Sequence, residues 1–177
     1  MSLILLLDMD DTLLDNDMNR FLPAYLSSLS KHLADQVPPD RMLQSLLAGT
    51  QAMIQKELPA QRLVDAFDDV FYPGIGHTKN QLLARIEEFY AQAYPSLRSV
   101  TQVRPEAVEF VEWAFAQGYT LAVATNPLFP RTAIEQRLAW AGLPVTQYPF
   151  KIVSSYETFH FAKPNPAFLA EMIAQLE

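Results

Sequence analysis

The chain opens on five consecutive apolar residues, Leu3 to Leu7, that stop abruptly at Asp8. A run this short, apolar on both faces and ended by polar residues, predicts a buried parallel strand. From about Asn16 to about Arg98 the pattern changes. Phe21, Tyr25, Leu26, Leu29 and Leu33 recur at three- and four-residue steps, as one face of a helix requires. Pro38-Pro39 breaks that helix, and Asp40 is placed to cap a second one carrying Met42, Leu43, Leu46 and Leu47. A third helix is expected over about 60–71, followed by a loop at Pro73-Gly74-Ile75-Gly76. Leu82, Leu83, Ile86, Phe89 and Tyr90 mark a fourth.

Near Val100 the pattern changes again. Pro105 to Gln117 reads as a helix with proline in its first turn and Gly118 as its stop. Tyr119 to Ala124 reads as a strand ending at Thr125-Asn126, and 131–141 as a helix ended by Gly142. Lys151 to Ser155 reads as a third strand, and a last helix starts at Ala167. Strand–helix alternation predicts an α/β fold with a parallel sheet. The helical block, residues 16–99, interrupts it after the first strand. The expected division is therefore a core formed by residues 1–15 and 100–177, with the block inserted. Trp113 and Trp140 fall at positions that suit helix cores.

Length and charge narrow the partners. At 177 residues, half of them hydrophobic, the chain can bury a substantial core. A net charge of −7 argues against a nucleic-acid surface or a polybasic membrane contact. The opening apolar run is far short of the roughly 20 residues that span a bilayer. There is no cysteine, which removes disulfides, thiolate metal sites and cysteine nucleophiles and fits a reducing, cytoplasmic setting.

In open α/β sheets, sites form beyond the carboxyl ends of the strands. The first such end carries Asp8 and Asp10, two carboxylates two residues apart. One can attack while the other moves a proton, and together they offer hard oxygens to a divalent cation. A solvated acidic turn would look the same. The second end carries Thr125 and Asn126, which suit phosphoryl oxygens and equally a helix start. The third feature is Lys163 in Lys163-Pro164-Asn165-Pro166. A fixed ammonium there can offset phosphoryl charge, although taken alone it reads as an exposed lysine.

In this order, Asp8-Met9-Asp10-Asp11-Thr12, then Thr125, then Lys163-Pro164-Asn165-Pro166 resemble the motifs of the haloacid dehalogenase-like (HAD) hydrolase superfamily. The resemblance covers essentially the whole chain. It implies a Rossmann-like parallel core with an all-helical cap, as in phosphoglycolate phosphatase-like members. It implies Asp8 as the nucleophile that becomes an aspartyl-phosphate, with Asp10 as the proton carrier. Thr125 would bind phosphoryl oxygens, with Asn126 beside it, and Lys163 would orient and neutralise Asp8. Mg²⁺ would be held by the Asp8 carboxylate and the Asp10 backbone carbonyl. The second acid, Asp10, points to the phosphatase branch, since displacing halide needs no proton donor. The implied substrate is a small phosphorylated metabolite. Arg20, on the first cap helix, is a candidate contact for a second anionic group. Two other readings stand beside hydrolysis: a sugar phosphomutase of the same superfamily, and a non-catalytic binding or assembly module.

One departure shapes these expectations. The superfamily has a fourth motif, an acidic pair after a further strand. After Lys163 only Glu171 and Glu177 are acidic, both in the last helix. The core is therefore expected to be incomplete at its C-terminus, with weak metal binding and low turnover. An unfilled sheet edge would invite pairing with a second copy, so a homodimer is an expected partner class. His32, His77 and His160 are scattered and predict local hydrogen bonding.

Overall fold

The computed structural model describes residues 3–177; the first two residues of the expected core segment lie outside them. Strand β1 (Ile4–Leu7) pairs in parallel with β4 (Thr120–Val123), Ile4 opposite Thr120 and Leu7 opposite Val123. On the far side of β4, the Lys151 and Ser154 N–H groups donate to the Leu121 and Val123 carbonyls. The Val123 N–H donates to the Ile152 carbonyl. This expected third strand is thus a single bridge, Val123 to Val153, rather than a strand. Turn hydrogen bonds at 148–150 and 155–159 close in on both of its ends and leave few residues free to run alongside β4.

Strand β4 is buried on both faces, whereas β1 is only partly buried. Leu121 and Val123 point into one core cluster, while Ala122 and Ala124 point into another with Phe168 and Met172 of α7 (Ala167–Leu176). That alternation is the period of two of a strand. Among the described residues no strand pairs the outer edge of β1, where Leu3 and Ile4 are exposed.

Between β1 and β4 lies the helical block: α1 (Met18–His32), α2 (Pro39–Ile54), α3 (Leu63–Ile75) and α4 (Lys79–Glu88). A π turn over Phe89–Ala93 and a 3₁₀ segment over Tyr94–Val100 complete it. The two chain crossings into and out of the block sit together. β2 (Leu14–Asp15) pairs antiparallel with β3 (Gln102–Val103), two short strands that the sequence pattern did not predict. After them come α5 (Pro105–Ala116) and α6 (Arg131–Trp140).

Several details depart from expectation for physical reasons. The predicted loop at 73–76 is the last turn of α3, which runs through Pro73 and Gly74 and stops at Gly76 with φ 75°. Packing explains it: a Cβ on Gly74 would lie 2.6 Å from Ser45 Oγ of α2, so glycine permits the two helices to close up. α2 starts at Pro39, and Asp40 falls inside its first turn and makes no capping hydrogen bond. Helix α4 does not carry its pitch through Phe89 and Tyr90. Widening to a π turn gathers the buried Phe89, Tyr90 and Tyr94 into a narrower arc than a 3.6-residue period gives. Trp140 is buried, but Trp113 is 50% exposed and packs on Phe110 and Tyr119 at the surface.

Candidate active site

The turn after β1 is built from its own backbone. The Met9 carbonyl accepts N–H groups from Thr12, Leu13 and Leu14 at 2.9–3.2 Å. Folding back this tightly puts Asp11 at φ 56°, a left-handed conformation that aspartate tolerates better than most residues. Asp8 and Asp10 therefore leave a fixed frame, one before the turn and one within it.

Asp8 meets Lys163 across 155 residues of sequence: Lys163 Nζ donates to Asp8 Oδ1 at 3.2 Å. The side chains of Lys163 and Asp8 are 35% and 47% exposed, so the pair is reachable from solvent. Two contacts position the lysine. Its backbone N–H donates to Asn126 Oδ1 at 3.1 Å. Its ammonium lies 5.6 Å from the centre of the Phe168 ring, and the Lys163–Pro164 peptide is cis. Thr125 and Asn126 follow β4 directly. The Ala124 N–H donates to the Leu7 carbonyl at 2.7 Å, and buried Ser154 Oγ donates to the Thr125 carbonyl at 2.7 Å. Thr125 is itself buried. The structure thus brings together Asp8 and Lys163 by direct contact, and Asn126 with Lys163.

Asp10 has different partners. Arg137 Nη1 of α6 donates to both of its oxygens, at 2.9 and 3.1 Å, and Asn16 Nδ2 donates to Oδ1 at 2.7 Å. Arg137 is 0% exposed. Its guanidinium lies 4.5 Å from the Phe129 ring centre and 5.4 Å from that of Phe21. Its Nε and Nη2 are buried without a hydrogen-bond partner among the described residues, so the aromatic faces and Asp10 carry the solvation of this cation. The sequence reading missed Arg137. A signal existed: the buried stripe of α6 runs Ala133, Ile134, Arg137, Leu138, and arginine sits where the period asks for an apolar residue.

Around this pair lies a cluster of phenols. Tyr25 and Tyr90 share a hydroxyl–hydroxyl hydrogen bond of 3.0 Å, and burial pushes both of their pKa values up. Burial also raises Tyr94, against an opposing pull from Arg137. These hydroxyls stay neutral.

The other candidates fall elsewhere. Arg20 is exposed on α1 and makes no hydrogen bond or ion pair with Asp8, Asp10, Thr125 or Lys163. Glu171 holds His160, accepting from its backbone N–H and pairing with Nδ1 at 2.7 Å. Glu157 caps α6, its two oxygens accepting the Arg131 N–H at 3.0 and 3.1 Å. His32 and His77 bind backbone carbonyls, of Arg85 and Ile75. For a metal, Asp8 offers a half-exposed carboxylate, whereas Asp10 has both oxygens engaged. No group of three His, Cys, Asp or Glu side chains converges among the described residues. This donor set fits a largely hydrated Mg²⁺ held by one carboxylate and completed by substrate oxygens, not an all-protein cage.

The family profile of the haloacid dehalogenase-like hydrolases matches residues 4–177. The chain is a haloacid dehalogenase-like hydrolase. No curated protein matches it. Among solved structures, this HAD-like chain is similar to a predicted phosphoglycolate phosphatase from Haemophilus somnus 129PT. The identity is 19% and the TM-score 0.50, over 99% of this chain and 72% of that one. It is also similar to CbbY from Rhodobacter sphaeroides in complex with xylulose-(1,5)bisphosphate, at 18% identity and TM-score 0.53, over 99% and 73% of the two chains. These likenesses establish the HAD-like α/β fold with its helix-rich insertion and small parallel sheet. No helix among the described residues is long and apolar enough to cross a membrane.

Proposed function

We propose that this HAD-like hydrolase is a Mg²⁺-dependent phosphate monoester hydrolase that works through Asp8. The observation carrying the reading is the 3.2 Å contact between Lys163 Nζ and Asp8 Oδ1, which sets a cation against a solvent-reachable carboxylate at the end of the first strand. In the proposed reaction an Asp8 oxygen attacks phosphorus and the ester P–O bond breaks. Asp10 gives a proton to the departing oxygen, then takes one from the water that cleaves the aspartyl-phosphate. Thr125 and Asn126 bind phosphoryl oxygens, and Lys163 holds Asp8 and offsets the gathered charge. Mg²⁺ on the Asp8 carboxylate and Asp10 backbone carbonyl would supply further charge neutralisation at the phosphoryl oxygens. Residues 16–99 form the cap in this assignment and the remainder the core. The substrate is a small phosphorylated metabolite met in the cytoplasm.

Asp10 accepts from Arg137 through both oxygens. To act as a donor, its carboxyl must exchange that partner for the leaving oxygen. The same observation favours a second reading, a protein that binds phosphate esters without turning them over. The deciding experiment measures release of inorganic phosphate from phenyl phosphate with Mg²⁺ by the whole chain and by Asp8→Asn. Slow turnover that falls to background in the variant, on the order of 10³-fold or more, supports hydrolysis. Turnover that persists in Asp8→Asn removes the reading. Binding with no turnover in either supports the second.

A further inference from the structure

A cavity of about 180 Å³ lies inside the helical block, walled by α1, α2 and α3 and closed by the loop 128–130. Its walls carry no Lys, Arg or His. Leu29, Leu46, Phe67 and Phe71 give it an apolar surface, and Asp68 is its one charged group. Asp68 is already paired, its Oδ2 lying 2.7 Å from Lys79 Nζ outside the lining. The other polar groups are hydroxyls. Burial pushes Tyr72 up to about 12 and raises Tyr25, Tyr90 and Tyr156, so all four phenols are neutral near pH 7.

The cavity adjoins the candidate site through three separate contacts. Met18 is in its wall, and Met18 Sδ accepts from Asn16 Nδ2, the group that also donates to Asp10. Phe129 is in its wall, and its ring faces the Arg137 guanidinium that holds Asp10. Leu128 is in its wall, and its N–H donates to the carbonyl of Asn126, whose side chain holds Lys163. Leu47, also in its wall, is half-exposed.

From this geometry we infer that the cavity binds the alcohol part of the substrate and selects an uncharged, predominantly apolar group of about benzene size. The inference rests on the phosphatase reading for its substrate, though not for the binding site itself. Size fits, since a cavity of about 150 Å³ lined by leucine, isoleucine and phenylalanine accommodates benzene. Charge decides the class. A carboxylate or second phosphate placed here would lose its hydration with no cation to receive it and would face Asp68. Arg137, the cation behind the wall, is screened by Phe21 and Phe129 and committed to Asp10. The cavity thus differs in chemistry from one suited to phosphoglycolate or a sugar bisphosphate.

The test is calorimetric binding to the whole chain of three compounds, benzyl alcohol, benzyl phosphate and phosphoglycolate, repeated with Leu47→Trp and Leu46→Trp after circular dichroism shows each is folded. Leu47→Trp lies at a half-exposed wall position and serves if Leu46→Trp does not fold. Benzyl phosphate is expected to bind at least about tenfold more tightly than phosphoglycolate. Benzyl alcohol is expected to bind saturably, and either tryptophan to weaken it at least about tenfold. Equal or tighter binding of phosphoglycolate, or benzyl alcohol binding indifferent to both tryptophans, overturns the inference. Benzyl alcohol binding that the tryptophans abolish, in a chain that never hydrolyses benzyl phosphate, removes the phosphatase reading and leaves the cavity assignment standing.

Discussion

Asp8 and Asp10 leave the same strand end two residues apart, yet they are held by opposite kinds of partner. Asp8 pairs with an ammonium, and both side chains are over a third exposed. Asp10 is gripped by a guanidinium with no exposed surface that lies against two aromatic rings, and is backed by an asparagine amide. An exposed ion pair is loosely bound, screened by water and easily exchanged for an incoming anion. A pair whose cation is fully buried is fixed, and removing the carboxylate strands that cation in a poor dielectric. Two adjacent acids of the same type are thereby separated into an accessible one and a secured one. Their surroundings, not their identity, make the difference.

The difference can be broken most severely at the buried end. Arg137→Met leaves Asp10, whose side chain is 23% exposed, without its cation, and urea unfolding should show a loss of roughly 1–3 kcal/mol. A loss below about 1 kcal/mol would mean that the guanidinium is not the buried partner described. Lys163→Met should behave in the opposite way. Stability should fall by less than about 1 kcal/mol, because the pair is partly exposed. Initial rates with phenyl phosphate should fall by about 10²–10³. A lysine variant that unfolds the protein, or an unchanged rate, would erase the contrast. Asn16→Ala removes a buried donor to Asp10 and should cost about 1–3 kcal/mol in the same unfolding experiment. Glu157→Gln loosens the start of α6, the helix that carries Arg137, and should cost under about 1 kcal/mol by thermal unfolding.

These effects mark where the sequence was readable. Asp8, Asp10 and Thr125 stand just beyond short strands, where a change from apolar to polar is a local signal, and Lys163 stands in a proline-marked turn before α7. The strand β1, the helices of the block and their order were legible for the same reason. Arg137 was not, because its burial depends on α6 closing against Phe21, which comes from the distant helix α1, as well as against the nearby Phe129. Residues 73–76 misled in the other direction. Proline and glycine advertise a turn, but the close contact of Gly74 with Ser45 keeps the backbone helical. The π turn at Phe89 likewise follows from three aromatic rings competing for one interior, which no single-helix period encodes. The exposed Trp113 has the helical spacing of a core residue and lacks a neighbouring element to cover it.

The short pairing of Leu14–Asp15 with Gln102–Val103 brings the entrance and exit of an 80-odd-residue excursion to within one hydrogen-bonded ladder. Adjacent ends make the excursion topologically optional: the sheet keeps its order and register whatever length of chain is strung between them. Such a junction is a graft point. A segment of another length could be joined at the same two strands without moving the ends of β1 and β4.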